Sequence, residues 1–279
     1  MSAEAASVPA AAPRVPPLAA ADYERCRALI YRLAGINLGP HKQALVSGRL
    51  GKRLAARGLT DWTAYMGLLE NGEDADELRE ALDLLTTNET YFFREPRHFQ
   101  ILREQVLPGI AERPVRIWSA ACSSGEEAYS LAMTLDDALG PRHFEVHASD
   151  ISNRVLARAM RGHYPVARLE QMPPAFLRRY CLKGVGAQSG TLLVEPGLRR
   201  HVQFRAINLV EPLPPLPRFH AIFLRNVMIY FDDVTRQRVV RQLVPTLVPG
   251  GWLFVGHSEN LRALGDVLES VAPAVYRRR

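Results

Sequence analysis

The chain has 279 residues, 47% of them hydrophobic and 23% charged, with a formal net charge of +6. That is enough to build one large domain or two smaller ones around a real core, and it excludes a disordered or fibrous chain. Its three cysteines are far apart, with no CxxC pair and no Cys/His cluster, so a disulfide framework and a structural zinc site are also excluded.

Residues 1–19 are rich in Ala and Pro and read as a disordered tail. They lack the charged start and apolar core of a secretory signal, and no apolar run approaches the ~20 residues that cross a bilayer. A cytoplasmic location without membrane insertion is expected.

Residues 20–88 carry helical periodicity throughout and predict a small helical domain. Tyr23, Cys26, Leu29, Ile30 and Leu33 form the first stripe, which Gly35 ends. A second helix is expected from His41 to Arg57, stopped by Gly58. Asp61 is placed to cap a third, ending at Asn71-Gly72, and a fourth runs from Glu73 to about Thr86. From Arg25 to Arg57 the sequence has no acidic residue, whereas Asp61 to Glu89 is strongly acidic. Lys42, Arg49, Arg53 and Arg57 fall at i+7 and i+4 spacings on one helix face. Such a face suits an acidic partner; the competing reading is an ordinary solvated helix surface.

Residues 89–114 predict a linker and a first helix opened by Pro96, with Phe99, Leu102 and Val106 on its inner side. Strands are expected at Val115–Ala120, Phe144–Ser149, Val202–Ala206, His220–Arg225, Trp252–His257 and Ala274–Arg277. Helices are expected at Glu126–Leu139, Asn153–Arg161 and Asp233–Leu247. Alternating strand and helix over 115–279 predicts an α/β domain with a mostly parallel, Rossmann-like sheet. Between about 163 and 201 the rhythm breaks at Pro165, Pro173-Pro174, Gly184, Gly186 and Gly190, which predicts an inserted β-hairpin.

Ligands of such sheets bind beyond the carboxyl ends of the strands. The polar residues there are Ser123 to Glu127, then Asp150, then Asn208, then Arg225, Asn226 and Tyr230, then His257 to Glu259. Asp150 suits the two hydroxyls of a ribose, or else caps the next helix, a role for which Ser152 competes. Glu127 reads either as a ligand contact on the first helical turn or as a helix-dipole carboxylate. Asn208 offers an amide to an adenine edge, or serves the turn before Pro212. Arg225, at the end of an apolar run, requires a carboxylate partner or solvent. The first turn has one glycine and two glutamates, so it repels phosphate and matches neither GxGxxG nor a Walker A loop. No nucleophile elbow is present.

TTNETYFFRE (Thr86–Glu95), WSAACSSGEEAYSLA (Trp118–Ala132), ASDIS (Ala148–Ser152), FLRNVMIYFD (Phe223–Asp232) and GGWLFVGHSEN (Gly250–Asn260) resemble the CheR family of chemotaxis receptor methyltransferases. The likeness runs in order from about Ala20 to Arg278. It implies a class I S-adenosylmethionine-dependent methyltransferase domain, a small N-terminal helical domain and an inserted β-subdomain. It also implies methyl transfer to glutamate side chains of bacterial chemoreceptors, leaving S-adenosylhomocysteine, with no metal. Asn88, Thr90, Arg94, Glu127, Asp150, Asn208, Leu209, Arg225 and Asn226 match cofactor-binding positions, and Arg94 and Tyr230 match positions beside the transferred methyl group. Lys42, Arg49, Arg53 and Arg57 then become candidates for docking an acidic receptor bundle. The β-subdomain becomes a candidate site for a receptor's C-terminal tether peptide. Glu89 is unexpected beside a site that receives a carboxylate. A methyltransferase acting on nucleic acid or on another protein, and a non-catalytic scaffold, are the competing readings; nucleic acid is not an expected partner.

Overall fold

The computed structural model describes residues 16–141, 143–169 and 171–279. The chain forms two compact units. One comprises the residues up to Leu29 together with Leu38–Leu85; the other comprises Ile30–Asn37 and Thr86–Arg279.

The first unit is helical. Helix α1 (Ala20–Ala34) contributes its first two thirds, followed by α2 (Gln43–Ala56), α3 (Trp62–Asn71) and α4 (Ala75–Leu85). Val46, Leu50 and Leu54, spaced by one turn along α2, are fully buried, and α2 packs on α4. Asp61 caps α3 by accepting the Ala64 N–H at 2.8 Å. The expected tail lies outside the described residues up to position 15. Its last residues depart from that expectation, because Leu18 is buried and the Pro16 carbonyl accepts the Trp62 indole N–H at 2.8 Å.

The second unit opens with α5 (Pro96–Ile101), which continues as a wide turn to Val106. Its strands and helices then follow as β1 (Val115–Ala120), α6 (Glu126–Leu139), β2 (Phe144–Asp150), α7 (Asn153–Arg161), β3 (His163–Pro165), α8 (Pro174–Tyr180), β4 (Cys181–Lys183), β5 (Thr191–Val194), α9 (Pro196–Arg199), β6 (Val202–Ala206), β7 (Phe219–Leu224), α10 (Asp233–Leu243), β8 (Leu247–Val255), β9 (Leu268–Ala272) and β10 (Val275–Arg278). The main sheet has the order β6-β2-β1-β7-β8-β10-β9, parallel from β6 to β8 and antiparallel at β10 and β9. The chain winds outward from β1 to β2 and β6, then crosses back to β7 and β8. Strand β1 is therefore the switch point, where a crevice opens at the carboxyl edge. Strand β7 is buried at every position, as a central strand covered on both faces must be.

Three expectations are corrected. The insertion is a three-stranded antiparallel sheet, β3-β5-β4, flanked by two short helices, rather than a hairpin. Helix α10 stops at Leu243 because Pro245 cannot continue it, and β8 starts at Leu247 and carries an irregular register to β7. Strand β9 was not expected: one of its five residues is buried, so it shows no alternation to detect.

Candidate cofactor and methyl-transfer site

A cleft of about 890 Å³, part of it open to solvent, lies over the carboxyl end of β1 in the second unit. It is lined by Asn88, Thr90, Arg94, Glu127, Asp150, Asn208, Leu209, Arg225, Asn226 and Tyr230. The structure thus brings together every residue that the sequence proposes for cofactor or chemistry. It also brings in residues that the sequence did not mark, including Ala34, Ile36, Ile151, Ile207 and Val227. These are apolar positions that carry no chemistry to mark them, and Ala34 and Ile36 come from far along the chain.

The turn after β1 is tight. Ala121 and Ser123 both take the left-handed conformation, with φ of 67° and 50°, and Gly125 follows at 94°. A side chain at Gly125 would begin 2.7 Å from the Ala159 Cβ, so glycine is required there by space as well as by φ. Asp150 fixes this turn: its Oδ2 accepts the Ser123 N–H at 2.8 Å and its Oδ1 accepts the Ser152 N–H at 3.0 Å. Ser152 itself caps α7 by accepting the Val155 N–H. The helix-cap role weighed for Asp150 thus falls to Ser152, and the Asp150 carboxylate is held at the cleft wall.

Glu127 is oriented from below. The Ser119 hydroxyl donates to its Oε1 at 2.7 Å, and the Arg225 guanidinium sits 2.9 Å from its Oε2. Burial lifts the Glu127 carboxyl above the usual range, while Arg225 and Ser119 act in the opposite sense. Ser119, a hydroxyl on a buried strand, is the signal the sequence reading passed over.

Arg225 is a strut more than a ligand. Its side chain is 1% exposed; it pairs with Glu127 and, at 3.2 Å, with Glu95, and it donates to the Arg94 carbonyl at 2.5 Å. The carboxylate partner that the apolar run demanded is thus present twice. Glu95, in a left-handed conformation, also has His98 and His257 each at 3.4 Å from its Oε2. That trio has the composition of a metal site, but Arg225 already holds the same oxygen with a positive charge. Among the described residues Glu95 Oε2 and both His98 ring nitrogens have no hydrogen-bond partner, so the cluster is held by charge and packing.

The segment from Asn88 to Glu95 is a strap whose carbonyls are captured in turn. Ser123 donates to the Asn88 carbonyl at 2.9 Å, Arg168 to that of Thr90 at 2.8 Å, and Arg94 to that of Glu89 at 3.1 Å. The Phe93 N–H donates to the Ser130 hydroxyl at 3.0 Å. Glu89 lines the cleft with an exposed side chain, and its carbonyl accepts from Arg94.

Asn208 lines the cleft with its side chain already engaged. Its Nδ2 donates to the Leu33 carbonyl at 2.7 Å and to Glu211 at 3.0 Å, and its Oδ1 accepts the Val210 N–H at 3.3 Å. The side-chain amide is thus committed to the protein, and the neighbouring Leu209 is buried. Tyr230 is tied through its carbonyl, which accepts the Asn37 N–H at 2.8 Å. Its phenol has no hydrogen-bond partner among the described residues.

The four basic positions belong to the helical unit and not to the cleft. Arg53 lies 2.5 Å from the buried Glu77, which also accepts the Tyr65 hydroxyl at 2.8 Å. Arg57 pairs with Asp74 and approaches Glu77 at 3.6 Å. Arg49 donates to the Leu85 carbonyl at 3.0 Å. Lys42 is exposed, with no ion-pair partner among the described residues.

Two carboxylates on one wall, no phosphate cradle, and an acidic residue closing β2 fit a ligand with ribose hydroxyls and a cationic amino-acid end. This sheet and cleft define a class I S-adenosylmethionine-dependent methyltransferase domain. The CheR methyltransferase SAM-binding domain matches residues 88–276, and the CheR methyltransferase all-alpha domain matches residues 21–86. The chain is 45% identical over 250 residues to a chemotaxis protein methyltransferase of Salmonella typhimurium, spanning 88% of this chain and 86% of that protein. The Escherichia coli chemotaxis protein methyltransferase is 44% identical over 250 residues, 88% and 87% of the two chains. Chemotaxis protein methyltransferase 2 of Pseudomonas aeruginosa is 42% identical over 259 residues, 91% and 92% of the two chains. The chain belongs to the CheR methyltransferase family.

Proposed function

We propose that this enzyme methylates glutamate side chains of chemoreceptors, forming glutamyl methyl esters in sensory adaptation. The observation that carries this reading is Arg94, a cation at the cleft beside two acids, Glu127 and Asp150, that are already engaged with the protein. Arg94 lines the cleft and donates to a backbone carbonyl, and no carboxylate pairs with it among the described residues. Glu127 and Asp150 are already hydrogen-bonded. Burial drives the Cys122 thiol well above its usual range, so it stays protonated. No lysine or histidine lines the cleft. An acceptor that arrives ionised needs none of these as a base, and a glutamate with a reference pKa of about 4.3 does so.

S-adenosylmethionine supplies a methyl group made electrophilic by its sulfonium. In this reading Asp150 takes the ribose hydroxyls, and Glu127 takes the amino group of the methionine end. Arg94 draws in and orients the incoming carboxylate, and the Tyr230 phenol offers a hydroxyl beside it. The strap from Asn88 to Glu95 limits water around the reacting atoms. In the helical unit, Lys42, exposed and without an ion-pair partner among the described residues, meets an acidic receptor bundle first, while Arg49, Arg53 and Arg57, engaged within their own unit, add to the field at longer range. In the small sheet, β4 pairs with β5 alone and so offers an open edge beside Leu182 and Val185, both exposed. This suits a short extended peptide added as a further strand, such as a receptor tether.

The test is single-turnover transfer of a labelled methyl group to a receptor cytoplasmic fragment. Base-labile label on glutamate is expected. Arg94→Ala should slow transfer by about 100-fold or more, in the range of a lost transition-state contact, and Tyr230→Phe by far less. Base-stable label, or near-normal transfer by Arg94→Ala, overturns the assignment.

A further inference from the structure

We infer that Glu259 is a positioning residue that clamps the cofactor loop from behind, through backbone N–H groups on two different strand ends. The proposal deepens the methyltransferase reading above and rests on it for its turnover arm.

Strand β8 ends at Val255, and the turn Gly256-His257-Ser258-Glu259 follows. The Glu259 N–H donates to the Gly256 carbonyl at 2.8 Å, which folds the glutamate side chain back toward β7. Its Oε2 then accepts the Gly256 N–H at 2.7 Å and the Asn226 N–H at 3.0 Å, and its Oε1 accepts the Ile229 N–H at 3.1 Å. The residue is 5% exposed, and no cationic side chain pairs with it among the described residues. Burial raises its carboxyl pKa, and the surrounding backbone N–H groups oppose that rise. A carboxylate held by amides alone is a scaffold device, because the N–H groups it satisfies would otherwise be buried without acceptors.

Two of those N–H groups, of Asn226 and Ile229, belong to the loop that furnishes the cleft. Asn226 is left-handed, with φ of 58°, a conformation asparagine tolerates better than most residues, and the bond from its N–H to Glu259 holds it there. Asn226, Val227 and Tyr230 line the cleft, whereas Glu259 does not. Glu259 therefore acts through them. Gly256 completes the clamp: a Cβ there would lie 2.5 Å from the Asn226 Nδ2 and 3.0 Å from its backbone N. Both oxygens are in use, so glutamine is not equivalent. Its NH₂ would face either Ile229 or the Gly256/Asn226 pair, donor against donor.

The experiment uses the full chain with S-adenosylhomocysteine as the probe. Dissociation constants come from calorimetry, stability from urea unfolding, and kcat and KM from receptor methylation. Glu259→Gln, folded by near-ultraviolet dichroism, should bind the probe at least 10-fold more weakly and lose at least 10-fold in kcat, with KM for the receptor unchanged. Ser258→Ala, in the same turn, should leave all of these unchanged. Gly256→Ala disturbs the clamp while keeping the buried carboxylate, and should repeat the Glu259→Gln signature if that variant does not fold. Lower stability with wild-type probe affinity and kcat in the folded protein overturns the proposal and leaves Glu259 merely structural. Weakened probe binding in the variants, with no methyl ester formed on receptor by wild type, supports the clamp and overturns the proposed acceptor instead.

Discussion

The strained residues of this chain are not scattered. Phe93, Glu95, Ala121, Ser123 and Asn226 are non-glycine residues with positive φ, and all five lie on the strap or on loops of the cleft; Ala274 alone lies elsewhere, in the turn before β10. Strain of this kind is retained where the surroundings over-determine the backbone, and here backbone N–H bonds to Ser130, Asp150 and Glu259, and a bond from Arg225 to the Arg94 carbonyl, do so. Gly125→Ala meets two penalties together, a φ of 94° and a 2.7 Å approach to Ala159. It should cost about 2–4 kcal/mol, read as a lower urea midpoint at unchanged slope. His98 sets a pH dependence. It is 1% exposed, and burial together with Arg225 pushes its pKa down to about 4, against the pull of Glu95. The unfolded imidazole titrates near 6.5. Below that pH the unfolded chain takes up a proton that the native site refuses, so stability is full above about pH 6.5 and is lost progressively down to about 4. The loss amounts to roughly 3 kcal/mol. His98→Gln should remove that part of the slope when urea stabilities are compared across this window. The sequence exposes such residues unevenly. Asp150 and Glu127 are legible because each follows a strand at a fixed place, whereas the partner that takes the Asn208 amide, the Leu33 carbonyl, is 175 residues away in the chain.

At the scale of elements, periodicity worked where a segment is long enough to show it. Strands β1, β2 and β6 stand within a residue of the spans their apolar patterns predicted, and α6 and α7 begin and end at the predicted residues. The inserted sheet was read only as a hairpin, since β3 and β4 have three residues each and a period of two needs more than that. The basic face of α2 is partly engaged within its own unit, which spacing alone does not reveal. Helical spacing places Arg53 and Arg57 on one side but does not say what α4 offers in return, and α4 offers Glu77 and Asp74 lies just before it. Glu77 is 2% exposed, and burial would raise its pKa, yet the net direction is downward because Arg53, Tyr65 and Arg57 favour the anion. Arg53→Ala should therefore destabilise the helical unit by about 2–3 kcal/mol. That is less than the full loss of a buried pair, because Tyr65 and Arg57 still reach the carboxylate. Urea unfolding followed by far-ultraviolet dichroism measures it. Reversing Arg53 or Arg57 thus tests folding before it tests docking.

At the scale of the molecule, the net charge of +6 becomes informative only once the paired cations are set aside. Among the four proposed docking positions, Arg53 and Arg57 face acidic groups of their own unit and Arg49 is bonded to Leu85, which leaves Lys42 as the exposed charge without an ion-pair partner among the described residues; Lys52, on the same helix, is in the same position. A partner made of acidic helices would feel these two lysines most directly, through solvent and at ionic strengths where the screening length is about 8–10 Å. Lys42→Glu and Lys52→Glu should each raise KM for a receptor fragment several-fold at low salt. The double variant should raise it further, and all three should keep wild-type kcat and wild-type affinity for S-adenosylhomocysteine, because neither lysine lines the cleft. The wild-type KM should itself rise with added salt and converge on that of the double variant. If the variants instead match wild type at low salt, the acidic receptor surface is met by other residues, and the basic run on α2 is a solvated helix face.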